Sequence, residues 1–147
     1  MEFLAHNAEE MGQFASEFAQ KLAPRKDGAV VVALSGELGA GKTTFVQGVA
    51  RAMGIKDTVP SPTFIIERIY KTESGPFSRL IHIDAYRLAS DLELLHLGWK
   101  ELLADPESLI LLEWPENVGA LIPPYAVRLS FETLAGEERK ITYHEAK

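Results

Sequence analysis

A strand, a glycine-rich loop and a helix follow one another between Val30 and Met53, and few folds accept that succession. Val30-Val31-Val32-Ala33-Leu34 is a β-branched run, apolar on both faces, the pattern of a central parallel strand. Gly36-Glu37-Leu38-Gly39-Ala40-Gly41-Lys42-Thr43 then fills every fixed position of G-x-x-x-x-G-K-[ST]. Phe45, Val46, Val49, Ala50 and Met53 mark the helix, which Gly54 stops. Glycines in such a loop let successive backbone N–H groups turn inward around a phosphate, where a Cβ would obstruct them. The helix N-terminus adds its positive dipole end. Lys42 is placed to reach the β- and γ-phosphates as a point charge, and the Thr43 hydroxyl to ligate Mg²⁺. The segment predicts a nucleoside-triphosphate site.

Strands and helices alternate along the rest of the chain. Asn7 and Glu10 form a capping pair ahead of Met11, Phe14, Ala15, Phe18, Ala19 and Leu22, and Pro24 ends that helix. Phe64–Tyr70 and Leu80–Asp84 read as strands around a turn at 72–76. Ser90 with Glu93 predicts a capping box opening one helix, with Leu92, Leu95, Trp99, Leu102 and Leu103 on one side. Leu109–Leu112 is a second fully apolar strand. Tyr125, Val127, Leu129 and Phe131 alternate strictly, and beyond a turn at Gly136 so do Ile141 and Tyr143, a final hairpin. The expected fold is α/β: a three-layer P-loop NTPase-like domain with a mixed, partly antiparallel central sheet, one domain over residues 1–147.

Charge narrows the partners. Asp plus Glu number 21 against 15 Lys plus Arg, a net charge of −6, and no more than two basic residues adjoin. Such a chain is not expected to grip nucleic acid by itself, since phosphate contacts need a clustered basic face. With no cysteine there is no disulfide, thiolate metal site or cysteine nucleophile, in keeping with a reducing cytoplasm. The longest aliphatic run, Ala29–Leu34, falls short of the ~20 residues of a membrane span. The acidic start Met1-Glu2-Phe3-Leu4-Ala5-His6 lacks the features of a signal peptide. A cytoplasmic chain with no membrane partner is expected.

The phosphate motif alone leaves ATPase, kinase and GTPase open. The guanine-reading Asn-Lys-x-Asp and the Asp-x-x-Gly switch are both missing, which weighs against GTP. Asp84 closes the strand ending His82-Ile83-Asp84, and Glu113 closes the one ending Leu111-Leu112-Glu113. Aliphatic residues followed by a carboxylate form the Walker B pattern, because strand C-termini converge on the phosphate site. A carboxylate there holds Mg²⁺ or orients the attacking water; the plainer alternative is an acid capping a strand.

Four stretches in order now carry a specific resemblance: Gly36–Thr44, Ser61-Pro62-Thr63-Phe64, His82-Ile83-Asp84-Ala85-Tyr86-Arg87-Leu88 and Glu113-Trp114-Pro115-Glu116. Together they resemble the TsaE family (formerly YjeE), small bacterial ATPases of tRNA threonylcarbamoyladenosine biosynthesis, over nearly the whole chain. The resemblance implies a Mg²⁺-dependent ATPase, weak alone, that works with TsaD and TsaB. TsaD, with TsaB, moves a threonylcarbamoyl group onto the adenosine beside the anticodon, so tRNA is met only through the complex. It further implies nucleotide binding along Glu37, Leu38, Gly39, Ala40, Gly41, Lys42, Thr43 and Thr44, with Lys42 on the phosphates and Thr44 toward the α-phosphate. Thr43, Asp84 and Glu113 are implied around Mg²⁺, with Glu113 needed for hydrolysis. Ser61 and Thr63 match a loop resembling switch I, and Trp114 a surface facing nucleotide or partner. Ala85 stands where the family often has a bulkier residue, a packing position.

Two other classes remain open at this level: a small-molecule kinase, for which no Arg-rich lid segment is visible, and a nucleotide-dependent binding module in which Glu113 is structural. His82, between Ile81 and Ile83, reads as a partly buried, hydrogen-bonded histidine rather than a metal ligand. Arg87 reads as an exposed ion pair, and Phe14 with Phe18 as core.

Overall fold

The apolar run at Val30 forms the middle strand of a seven-stranded sheet in the computed structural model, which describes residues 1–55 and 67–144. In chain order the strands are β1 (Glu2–Ala5), β2 (Val30–Gly36), β3 (Glu67–Lys71), β4 (Arg79–Asp84), β5 (Ser108–Glu113), β6 (Val127–Thr133) and β7 (Arg139–His144). The helices are α1 (Ala8–Lys21), α2 (Lys42–Ala52), α3 (Asp91–His96) and α4 (Trp99–Leu103), with 3₁₀ segments at Ala85–Arg87 and Pro115–Leu121. The sheet order is β1-β7-β6-β2-β5-β4-β3. Strands β6, β2, β5 and β4 run parallel; β3 pairs antiparallel on one flank, β7 and β1 on the other.

Alternation along the parallel strands builds a core on each face. Val30, Val32, Leu34, Leu80, Leu109 and Leu111 join one cluster with Met11 and Ala15 of α1 and Phe45, Val46 and Val49 of α2. Val31, Ile81, Ile83, Ile110 and Leu112 join the other with Leu94, Trp99 and Val118. Two helical layers therefore enclose the sheet, the three-layer α/β architecture the sequence predicts. Phe45 is the aromatic hub of the first core, its ring 5.9 Å from Phe14, 5.5 Å from Phe18 and 5.4 Å from Phe131.

Local signals explain the first helix and correct the third. Asn7 Oδ1 accepts the Glu10 N–H at 2.9 Å, while the Glu10 carboxylate reaches one residue further back, to the His6 N–H at 2.9 Å. The expected single helix after Ser90 is instead α3 and α4, broken at Gly98, whose φ of 86° leaves the helical range. The Ser90 side chain makes no cap bond; Glu93 accepts the Ala89 N–H instead. The buried face moves with the break: Leu94 packs in the core and Leu92 is 62% exposed.

Two further elements carry no signal in the pattern: β1, which pairs with β7, and the 3₁₀ segment after Trp114. Of the expected strand Phe64–Tyr70, only the part from Glu67 onward lies within the described residues. Among those residues no helix is long and apolar enough to cross a membrane.

Helices α1 and α2 touch through glycine. A Cβ built on Gly48 would lie 2.7 Å from the Ala15 Cβ and 3.1 Å from the Gly12 carbonyl oxygen, both rigidly held. Gly48→Leu should therefore force the helices apart and cost about 1–3 kcal/mol of stability, more than better helix propensity returns. Urea unfolding at fixed pH measures the loss, and an unchanged midpoint contradicts the close approach.

Candidate active site

Parallel strands point the same way, so their carboxyl ends form one edge of the sheet. At that edge Leu34 of β2 is paired with Glu113 of β5, and Glu113 with Asp84 of β4. The loop after β2 brings Lys42, the first residue of α2, to the same place. All three charged side chains are withdrawn from water, with Lys42 4%, Asp84 7% and Glu113 2% exposed. They line a cleft of about 520 Å³ with Leu38, Gly39, Gly41, Thr43, Thr44 and Trp114.

Glycine is required at two points of the loop for different reasons. Gly36 has φ 145°, and a Cβ there would meet the Phe131 carbonyl oxygen at 2.5 Å, so the loop leaves β2 pressed against β6. Gly41 has φ 104° directly before α2, and a Cβ there would strike Met11 Cε at 2.7 Å. Between them the Ala40 N–H donates to the Glu37 carbonyl at 3.1 Å, closing a turn. Glu37 is exposed and Ala40 buried; both shape the loop, and neither lines the cleft.

Lys42 Nζ donates to the Gly36 carbonyl and stands 4.0 Å from the centre of the Trp114 ring, a cation–π contact. Burial pulls the Lys42 pKa down, while Glu113, Glu116 and Asp84 oppose that shift. Trp114 takes φ 61° and ψ 52°, the one non-glycine positive φ among the described residues. So bulky a residue in that region is strained, and the surroundings must hold it there. Its N–H donates to the Leu34 carbonyl at 3.2 Å, and its ring lies 5.0 Å from that of Tyr86.

The two carboxylates are held differently. Asp84 Oδ1 accepts the Tyr86 N–H at 3.0 Å, capping the 3₁₀ segment. Burial pushes its pKa up and the Glu113 charge adds to that, against the Tyr86 hydrogen bond, His82 and Lys42. Glu113 Oε2 lies 2.6 Å from His82 Nε2, both groups buried. The histidine foreseen as partly buried is thus inside the protein.

The donor set suits a hard cation. Thr43 and Asp84 offer oxygen ligands on one cleft, but no group of three or more His, Asp or Glu that could hold a metal occurs among the described residues. A cation here would take its remaining ligands from phosphate and water, the habit of Mg²⁺ beside nucleotides. Ser61 and Thr63, the expected switch-like residues, lie outside the described residues.

Several site residues escaped the sequence reading. Arg139 Nε donates to the Gly39 carbonyl at 3.1 Å, and its Nη1 to the Gly136 and Glu138 carbonyls at 2.8 and 2.9 Å, tying the loop to the final hairpin. Asn117 Nδ2 donates to the Ala85 and Tyr86 carbonyls at 2.9 and 3.2 Å, joining the two 3₁₀ segments. Neither belongs to a local motif; only the register of β7 and the path after Trp114 bring them in.

The Asp84 shift has a sign that experiment can read. An acid whose folded pKa is raised destabilises the fold once it ionises, so the penalty grows as pH rises through that range and vanishes where both states hold the proton. Asp84→Asn keeps the acceptor for Tyr86 and should raise the melting temperature of ligand-free protein at neutral pH. Melting curves across pH should show that gain shrinking toward the ordinary carboxylate range; a loss at neutral pH contradicts it.

Comparison with known proteins places this geometry. The family model described as threonylcarbamoyl adenosine biosynthesis protein TsaE matches residues 5–141. The tRNA threonylcarbamoyladenosine biosynthesis protein TsaE of Treponema pallidum is 39% identical over 117 residues, covering 80% of this chain and 82% of that protein. The protein of the same name from Rickettsia prowazekii is 36% identical over 141 residues, covering 95% and 92%. The crystal structure of Bacillus subtilis YdiB superposes with a TM-score of 0.80 at 28% identity, covering 100% of this chain and 86% of that one. With its sheet, its loop and most of its length matched in this way, the chain belongs to the TsaE family of tRNA threonylcarbamoyladenosine biosynthesis proteins.

Proposed function

We propose that the chain is a Mg²⁺-dependent ATPase whose nucleotide cycle serves threonylcarbamoyl modification of tRNA through TsaD and TsaB. The observation that carries this reading is the burial of Lys42, Asp84 and Glu113 together at the carboxyl ends of parallel strands, beside a glycine-rich loop. Isolated buried charges are costly unless paired, and a polyphosphate with its cation supplies what such a cluster lacks. The family membership supports the pathway, and the acidic surface suits a subunit that leaves tRNA to its partners.

In this reading the loop N–H groups and the α2 N-terminus receive the phosphates. Lys42 leaves the Gly36 carbonyl for the β- and γ-phosphate oxygens, a short swing for a four-carbon stem. Thr43 and Asp84 hold Mg²⁺, which when bound offsets charge on the phosphates. Thr44 faces the α-phosphate. Glu113 accepts a hydrogen bond from a water and orients it in line with the γ-phosphorus. The water oxygen bonds to the γ-phosphorus as the bond from that phosphorus to the β–γ bridging oxygen breaks, and a water proton passes to a phosphate oxygen, giving ADP and inorganic phosphate. Trp114, freed of the lysine, turns its ring to nucleotide or partner.

Lys42→Ala should weaken ATP binding about 10–150-fold, since a charge-assisted phosphate contact is worth roughly 1.5–3 kcal/mol. Calorimetry on folded protein reads this, and unchanged affinity removes the phosphate site from the loop. Glu113→Gln separates binding from chemistry: ATP should still bind while phosphate release falls about 10²–10⁴-fold. Release at the wild-type rate, alone or with TsaB–TsaD, sinks the assignment of Glu113 to the water.

A further inference from the structure

His82 has no part in the nucleotide reading, yet its placement is demanding. It sits on a strand of the parallel core, 5% exposed, on the face that carries Leu80, Leu109 and Leu111 into the first core. An aliphatic residue there would cost nothing to desolvate, whereas a buried imidazole needs a partner. The partner is Glu113: Nε2 and Oε2 are 2.6 Å apart across adjoining strands.

The register makes the contact directional. In the β4–β5 ladder Asp84 is opposite Glu113 and His82 opposite Leu111. Residues 82, 84 and 113 therefore share one face of the sheet, with His82 one pleat further in from the edge than Asp84. Two carboxylates at directly paired positions repel, and Glu113 indeed helps push the Asp84 pKa up. A hydrogen bond from one pleat further in holds Oε2 of Glu113 and leaves Oε1 outside that bond, in a side chain that lines the cleft. An ionised carboxylate only accepts, so it is Nε2–H that donates.

From this geometry we infer that His82 is a positioning residue for hydrolysis: its Nε2–H donates to Glu113 Oε2, fixing the carboxylate toward the attacking water and keeping it off the cation held by Asp84. The inference rests on the ATPase reading above and adds to it a division of labour between the two acids. Among the described residues Asp84 is bound through Oδ1 to the Tyr86 N–H, which leaves Oδ2 for the cation; Glu113, tethered by His82, serves the water. His82 does not line the cleft and acts through Glu113 alone.

The test compares the full-length wild type with His82→Gln, His82→Asn, His82→Ala, Glu113→Gln and the double variant His82→Ala/Glu113→Gln, reading ATP KM and kcat for phosphate release. Glutamine can place an amide N–H near the Nε2 position, whereas asparagine is too short. His82→Asn and His82→Ala should lower kcat about 10–100-fold, as lost supporting hydrogen bonds commonly do, with KM within about threefold. His82→Gln should stay within about fivefold of wild type. Adding His82→Ala to Glu113→Gln should cost nothing further, because the two residues act as one unit. Should the alanine variant fail to fold, the Gln–Asn pair carries the comparison. Equal rates for Gln and Asn, full turnover in a folded Ala variant, or losses that multiply in the double variant overturn the role of His82. A wild type that releases no phosphate overturns the ATPase reading and the inference together.

Discussion

Three buried charges meeting at one sheet edge set the terms for everything around them. Lys42 attracts both Asp84 and Glu113, the two acids repel each other, and burial opposes the charged forms of Lys42 and Asp84. The fold answers by giving every one of them a second hold. Lys42 bonds the Gly36 carbonyl and rests over Trp114, Asp84 accepts from the Tyr86 backbone, and Glu113 is bound to His82. Two of these holds are made by backbone close in sequence, at Gly36 and Tyr86, and two by side chains brought in by the sheet, Trp114 and His82. The protein's own groups therefore hold all three charged side chains at the sheet edge.

The same arrangement explains why the strained Trp114 is kept. Its left-handed backbone lets the chain turn sharply out of β5, so that Glu113 stays in the ladder while the next ring folds over Lys42. The backbone N–H to Leu34 and the tilted ring contact with Tyr86 are the surroundings that hold this conformation. A ring in that place covers the ammonium from one side. Local strain and cation–π contact are thus two sides of one device.

Where sequence periodicity met a strong physical demand, it was legible. Val30–Leu34 and Leu109–Leu112 are apolar on both faces because both faces of a central parallel strand are covered, and the structure places them side by side. That Lys42, Asp84 and Glu113 meet at one edge could be read in advance, because the ends of parallel strands and the loop between strand and helix converge there. The failures have equally specific causes. The break at Gly98 turned Leu92 outward, since a glycine inside a helical pattern reads as a small cost rather than a stop. β1 is four residues with one buried position, too short for a period to show. Arg139 reaches Gly39 across 100 positions of sequence, and nothing local announces such a contact.

The position of β2 in the sheet has a consequence for how the protein is made. One neighbour of β2, β5, precedes the final hairpin, but the other, β6, comes long after the glycine-rich loop has been synthesised, and Gly36 packs directly against Phe131 of that strand. The loop is then fastened by Arg139 of β7, the same strand that pairs with β1. During translation the phosphate motif thus leaves the ribosome early but stays without its wall until the hairpin is out. Such non-local pairings must close over a long stretch of chain, which makes their formation slow. A nascent chain arrested before β6 would display the whole glycine-rich motif while lacking the strand against which its loop packs, which ties the packing of the loop to completion of the β6–β7 hairpin.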